Sequence, residues 1–245
     1  MAIEDANKIR FYPFSDSTKN FTPEPVPASR VVPQWYKDQP GSINEEMALP
    51  TGNSTGTVKR CMPIFDIMTA GYIMKLPMDI YMDATNPAQL QWSLPGPMKQ
   101  FQNEFIATHD KMQYEKYPID RDMYHHQLFR VMPFYSVQTP PGYSTLFVHP
   151  FHQDDVPFKS FSGFVDTDNF ITDGHFSMLI KKGFKGIIPQ GTPILQAIPI
   201  KREDWAMEIM EVKDTNAIVS KQRLNLRSVF KTAYKDKMRV KKEFR

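Results

Sequence analysis

The stretch "TPPGYSTLFVHPFHQDDVPFKSFSGFVDTDNFITDGHFSMLIKKGFKGIIPQGTPILQAIPI", Thr139–Ile200, decides the fold class. Short apolar runs at Ser144–Val148, Gly163–Val165, His175–Lys181 and Thr192–Ile200 follow one another closely, with Gly and Pro standing between them. Glycine supplies the positive φ of tight turns, and proline interrupts both ladders and helices. Such spacing predicts a mainly β fold, a sandwich or barrel and not a βαβ arrangement. Gly142 and Gly163 fall where turns need positive φ, and Gly191 opens the last strand. "GFKGIIPQG", with Lys181, Lys182 and Lys185, reads as a hairpin with a charged tip, because no helix follows to make it a phosphate loop.

Working outward, the β signal continues upstream. Tyr72–Leu76 and Met78–Met82 read as strands, and Leu90, Trp92 and Leu94 alternate with polar neighbours as a half-buried strand requires. "HHQLFRVMPFYSVQT" reads as one strand or two, broken at Pro133, while "FQNEFIATHDKMQYEKY" fits helix or strand. Pro63 and Gly71 bracket a short helix at Ile64–Ala70. Residues 1–58 form an extended, proline-punctuated segment that wraps the core, pinned by Val31, Val32, Trp35 and Tyr36. The 21 prolines of the 245-residue chain are about twice average usage. "EDWAMEIMEV" fits a strand or the start of a helix. Ser220–Arg245 lacks Gly and Pro and spaces Leu224, Val229 or Phe230, Tyr234 and Met238 for a helix. The expected organisation is 1–58 wrap, 59–202 β-rich core and 203–245 basic helical extension.

Composition bounds the function. A hydrophobic content of 41% suits a soluble globular domain, no apolar run reaches membrane-spanning length, and the first 20 residues lack the apolar segment of a secretory signal. Cys61 is the only cysteine, which excludes an intrachain disulfide and points to a reducing compartment such as a cytoplasm. The net charge of +3 is uneven: from Lys221 onward ten Lys or Arg face two acids, leaving the first 220 residues at −5. Residues 221–245 could meet nucleic acid, an acidic protein surface or a neighbouring subunit.

"PPGYSTLFVHP", "SGFVDTDNF" and "PQGTPILQAIPI" stand in the order of three motifs of the dUTPase and dCTP-deaminase superfamily, which this region resembles across Thr139–Arg202. The resemblance implies a β-clip core, a distorted barrel, assembled as a homo-oligomer, typically a trimer, with sites between subunits. By the same likeness Asp166 takes the place of the catalytic aspartate, and Gly163, Phe170 and Gln196 fall at nucleotide-binding positions. Departures concern the chemistry. Pro150 is followed by Phe151, His152 and Gln153 where the family has a phosphate-gripping arginine and serines. Asn169 replaces the stacking tyrosine, and no glycine follows Gly191 to form a phosphate-closing segment. "PQWYKDQP", "KRCMPIFDIMTAGY" and the basic end also resemble an uncharacterised group from tailed bacteriophages and bacteria.

A triphosphate must be met by cations, by backbone amides or by a metal. The departures therefore favour a noncatalytic structural or interaction protein, phage-encoded and oligomeric, acting as a virion component or as a modulator of a host protein. The alternative is a diverged nucleotide-binding protein or hydrolase with its site at a subunit interface, which gains if Lys181 or Arg202 converges on Asp166. His149, His152, Asp154, Asp155 and His175 are the residues with metal-ligand chemistry, and a divalent ion there is the one cofactor the sequence suggests. Asp166 and Asp168 share one side of an extended chain, reading first as a turn-capping pair. His125 and His126 point apart, and His109–Asp110 shows no partner.

Overall fold

The computed structural model describes residues 8–43, 56–96, 99, 105–171, 174–213, 215–216, 219–220 and 234–245. The chain forms two units: one of residues up to Pro33, Met68–Arg202 and Phe244, the other of Gln34–Ile67, Glu203–Glu243 and Arg245. The fold is mainly β. In the first unit the strands are β1 (Arg10–Pro13), β2 (Val26–Pro27), β3 (Tyr72–Lys75), β4 (Ile80–Asp83), β5 (Gln91–Ser93), β6 (Ile106–Thr108), β7 (Phe129–Val131), β8 (Tyr135–Gln138), β9 (Tyr143–Val148), β10 (Phe158–Ser160), β11 (Gly163–Val165), β12 (Phe176–Ile180), β13 (Lys185–Ile188) and β14 (Pro193–Lys201).

Every named pairing is antiparallel. The five-stranded sheet runs β11-β9-β14-β3-β2, a four-stranded sheet runs β10-β12-β7-β6, and smaller sheets pair β13-β4-β5 and β1-β8. Strand alternation builds the core: Ile80 and Met82 point in while Tyr81 points out, and Phe129, Val131, Met178 and Ile180 meet Phe147, Leu195 and Ala197. Each large apolar side chain buried this way contributes about 1.5–3 kcal/mol.

Two glycines hold the five-stranded sheet in place. The turn Pro140–Tyr143 carries Pro141 then Gly142 at φ 81, closed by the Tyr143 amide on the Pro140 carbonyl at 3.2 Å, the arrangement of a type II turn. Gly71, at φ 67, passes so close to β14 that a Cβ there would stand 2.1 Å from the Ala197 carbonyl oxygen. Its own carbonyl accepts the Ala28 amide at 2.9 Å, tying the N-terminal segment to β3.

Several details differ from the sequence expectations. The described residues 8–43 are more structured than a plain wrap: β1 and β2 join sheets, and α1 (Asp16–Phe21) starts on a reciprocal cap between Ser15 and Thr18. Gly163 has no positive φ and lies in β11 opposite Phe147. Residues 183–191 are not a hairpin, because β13 pairs with β4 and the chain then passes into β14, which pairs with β3 and β9. The ambiguous stretch near residue 110 is both things in turn, β6 and then a 3-10 helix at Lys111–Tyr114.

In the second unit, α2 (Gln34–Asp38) and α3 (Met62–Met68, ending within the first unit) frame an aromatic contact: Tyr36 is buried and stacks on Phe65 at 5.8 Å. Trp35, expected to share that burial, stays exposed. Arg239 donates to both oxygens of Asp66 at 3.0 and 3.2 Å, and this guanidinium pulls the carboxyl below its ordinary range against the opposing effect of burial. The helix expected over Ser220–Arg245 does not run to Arg245. Residues 221–233 lie outside the described residues, Tyr234–Met238 makes a single π turn, and 239–245 is irregular. Glu203–Glu211 is neither helix nor strand. Among the described residues no helix is long and apolar enough to cross a membrane.

Candidate functional site

The acid pair after β11 sits where β9, β11 and β14 end. Asp166 closes the turn by accepting the amides of Asn169 and Phe170 at 3.0 and 2.8 Å on its carbonyl. Thr167 points inward, and its hydroxyl lies 2.7 Å from those of Thr139 and Thr145. Because Thr139 donates to the Tyr143 carbonyl at 2.8 Å, the proton order runs from Thr145 to Thr167 to Thr139. That buried hydroxyl chain leaves Asp166 and Asp168 on the opposite side together.

Arg202, one residue past β14, reaches both acids. It grips the two Asp168 oxygens, with Nη1 to Oδ1 at 2.8 Å and Nη2 to Oδ2, and its Nη1 stands 3.4 Å from Asp166 Oδ1. Nη1 also donates to the Ser144 hydroxyl at 3.1 Å, and Ser144 donates to Asp166 Oδ1 at 2.6 Å. The Gly142 amide donates to Asp168 Oδ2 at 2.8 Å, and the Arg202 amide to the Gly142 carbonyl at 2.8 Å. The Asp168 side chain is 6% exposed and that of Asp166 59%. Hydrogen bonding to Arg202, aided by the Gly142 amide, holds the Asp168 carboxyl down at about 2. At neutral pH such a group is a fixed anion and a poor proton acceptor. Of the two cations considered from sequence, Arg202 converges on Asp166, whereas Lys181 donates to the Asp154 carbonyl at 3.0 Å.

The other residues singled out for nucleotide binding separate. Gln196, 1% exposed, spends its amide on the backbone, accepting the Phe151 amide at 3.1 Å and donating to the Ala70 carbonyl at 2.6 Å. Phe170 is exposed and lines a cavity of about 210 Å³ with Met74, Phe147, Val165 and Phe176. Thr167, His175 and Tyr135 add polar groups to that lining, and the buried Tyr135 hydroxyl has no hydrogen-bond partner among the described residues.

The metal candidates divide between two places. His149, His152 and Asp154 line a second cavity of about 280 Å³, while His175 belongs to the first. His149 Nδ1 accepts the Ser160 amide at 3.2 Å, so Nε2 carries the proton donated to the Gln153 carbonyl at 3.1 Å. Burial lowers the pKa of this ring and keeps it neutral. Neither nitrogen is left for a cation. Among the described residues no group of three His, Cys, Asp or Glu side chains could hold a metal.

Two histidine readings need correction or completion. His109 has partners: Nε2 lies 3.2 Å from the Ser177 hydroxyl and Nδ1 2.9 Å from Gln113 Oε1, beside Tyr114. This resembles a nucleophile–base relay, yet Ser177 is the second residue of β12, opposite Arg130 of β7, and its carbonyl takes the Phe161 amide at 2.9 Å, so the backbone around it is committed to pairing. His125 is buried, with Nδ1 accepting the Gln127 amide and Nε2 on the Asn86 carbonyl, a structural role. The sequence reading missed an exposed apolar run among the described residues: Trp205, Met207, Ile209 and Val212 are bare along 203–212, and Met210 is about half exposed. Alternation in "EDWAMEIMEV" was the available signal, and it does not say what covers the side chains.

Neither a scan of protein-family models nor a search of curated proteins gave a match for this chain.

Proposed function

We propose that this chain is a noncatalytic, β-clip-like structural or interaction protein that works by protein association, with further copies of itself as the first partners. The observation that carries this reading is the run 203–212, where Trp205 is 86%, Met207 89% and Ile209 84% exposed. Bare apolar side chains at this density mark an interaction surface, since leaving them in water forfeits about 1.5–3 kcal/mol each. Arg202 does converge on Asp166, at 3.4 Å, which is the condition that favours the nucleotide alternative, but its guanidinium is already held by both oxygens of Asp168 and is not free to grip a phosphate. The sequence likeness to a tailed-phage group fits a virion component or a modulator of a host protein. Light scattering of the full chain over a range of concentrations tests the proposal: an oligomer is expected, and a monomer throughout would overturn it.

A second reading has its own observation. The 210 Å³ cavity beside Phe170, lined by Phe147, Val165, Phe176 and His175, has the size and lining for one planar ring. Nucleotide binding there would raise the melting temperature with nucleosides or nucleotides. Phe170→Ala should weaken that shift, and no shift from any of them would end this reading.

A further inference from the structure

Resting on the self-association reading, we infer that the arm Glu203–Val212 of one copy lies across the outer face of the five-stranded sheet of a second copy, on the strip formed by Phe164, Leu146, Ile198 and Ile200. Register makes the strip: Phe164 stands opposite Leu146, and Leu146 opposite Ile198, so three apolar side chains line up across β11, β9 and β14. Ile200, two residues beyond Ile198, shares the face. Three strands at about 4.8 Å spacing make the strip roughly 10 Å wide. Phe164 is exposed, the other three are half-buried, and β11 is an edge strand, so the strip opens at the side of the sheet.

The arm fits such a strip. In an extended run Trp205, Met207 and Ile209 share one side over about 13 Å, bracketed by Glu203 and Glu211. The three side chains on that side, each on the order of 150 Å², bury roughly 450 Å² of the arm, less than the roughly 800 Å² per partner of a standard interface, so each contact is weak alone and gains from repetition around a ring. Four acids and no base between Glu203 and Val212 make pairing of two arms with each other self-repelling, which leaves the strip as the receiving surface. Each copy carries one arm and one strip, so the contact is head-to-tail and closes into a ring when the rotation permits.

Disulfide trapping tests the contact. In a Cys61→Ser background, copies carrying Ala206→Cys are mixed with copies carrying Ser162→Cys, which keep Trp205 and Phe164, and oxidised. A heterodimer is expected in several-fold excess over a mixture of Ala206→Cys with copies carrying Lys19→Cys, on an exposed part of α1. A polypeptide with both cysteines is expected to link into chains of subunits. An oligomeric wild type that gives no heterodimer overturns the inference while leaving self-association standing, and so does a doubly substituted chain that closes on itself as a monomer. A wild type that is monomeric at every concentration overturns both. Phe164→Asp is a second check: the dissociation constant of the oligomer should rise at least tenfold with an unchanged circular-dichroism melt, and an unaltered constant contradicts the strip.

Discussion

β14 and the residues that follow it are both rich in apolar side chains and end in opposite environments. Ile194, Leu195, Gln196 and Ala197 are buried between β3 and β9, whereas Trp205, Met207 and Ile209, a few positions on, are bare. β14 has a hydrogen-bonded neighbour on each side; Glu203–Glu211 belongs to no strand. Apolar alternation therefore reports that a segment is built to be covered, and leaves open whether its own chain does the covering. The Arg202–Asp168 clamp stands at the change, fixing the end of β14 to the Gly142 turn.

The buried half of this contrast breaks most easily at Gly71. Gly71→Ala places a methyl against the Ala197 carbonyl in a backbone region that L-residues avoid, so unfolding free energy should fall by on the order of 4 kcal/mol in a denaturant titration. Gln196→Ala comes next. It leaves the Phe151 amide and the Ala70 carbonyl without the amide that now joins them, and about 2–4 kcal/mol should be lost by the same measurement.

At the junction, Asp168→Asn sharpens the contrast through pH. A carboxyl lowered from 3.8 to about 2 on folding contributes stability that is complete above about pH 4 and disappears as pH falls through 2. The variant should melt lower at neutral pH and lose less between pH 4 and pH 2 than the wild type. Some acid sensitivity should persist, because Asp83, hydrogen-bonded to Lys185 and Thr85, is also held at about 2. On the bare side, Trp205→Ser should change the stability of the subunit by no more than about 0.5 kcal/mol. Its effect should appear in assembly alone.

Much of the β architecture was legible because each piece rested on local chemistry. The Pro141–Gly142 turn, the run from Thr192 and the alternation around Trp92 each name a strand or turn without tertiary information. β2 and β10 were not legible, since Val26–Pro27 and Phe158–Ser160 are too short to show a period and become strands only by pairing with β3 and β12. The same limit applies at the site. Asp166 and Asp168 were found by spacing, but the clamp needs Arg202, 34 residues after Asp168, and Ser144, 22 before Asp166. Gln196 looked like a ligand-binding side chain because sequence cannot show that the Phe151 amide and the Ala70 carbonyl reach it first.

The most direct measurement is the mass in solution of the full chain and of its Trp205→Ser/Met207→Ser/Ile209→Ser variant, by light scattering across a hundredfold range of concentration. An oligomeric wild type and a folded, monomeric variant is the predicted result. Equal masses for the two proteins would contradict the claim that residues 203–212 hold copies of this chain together.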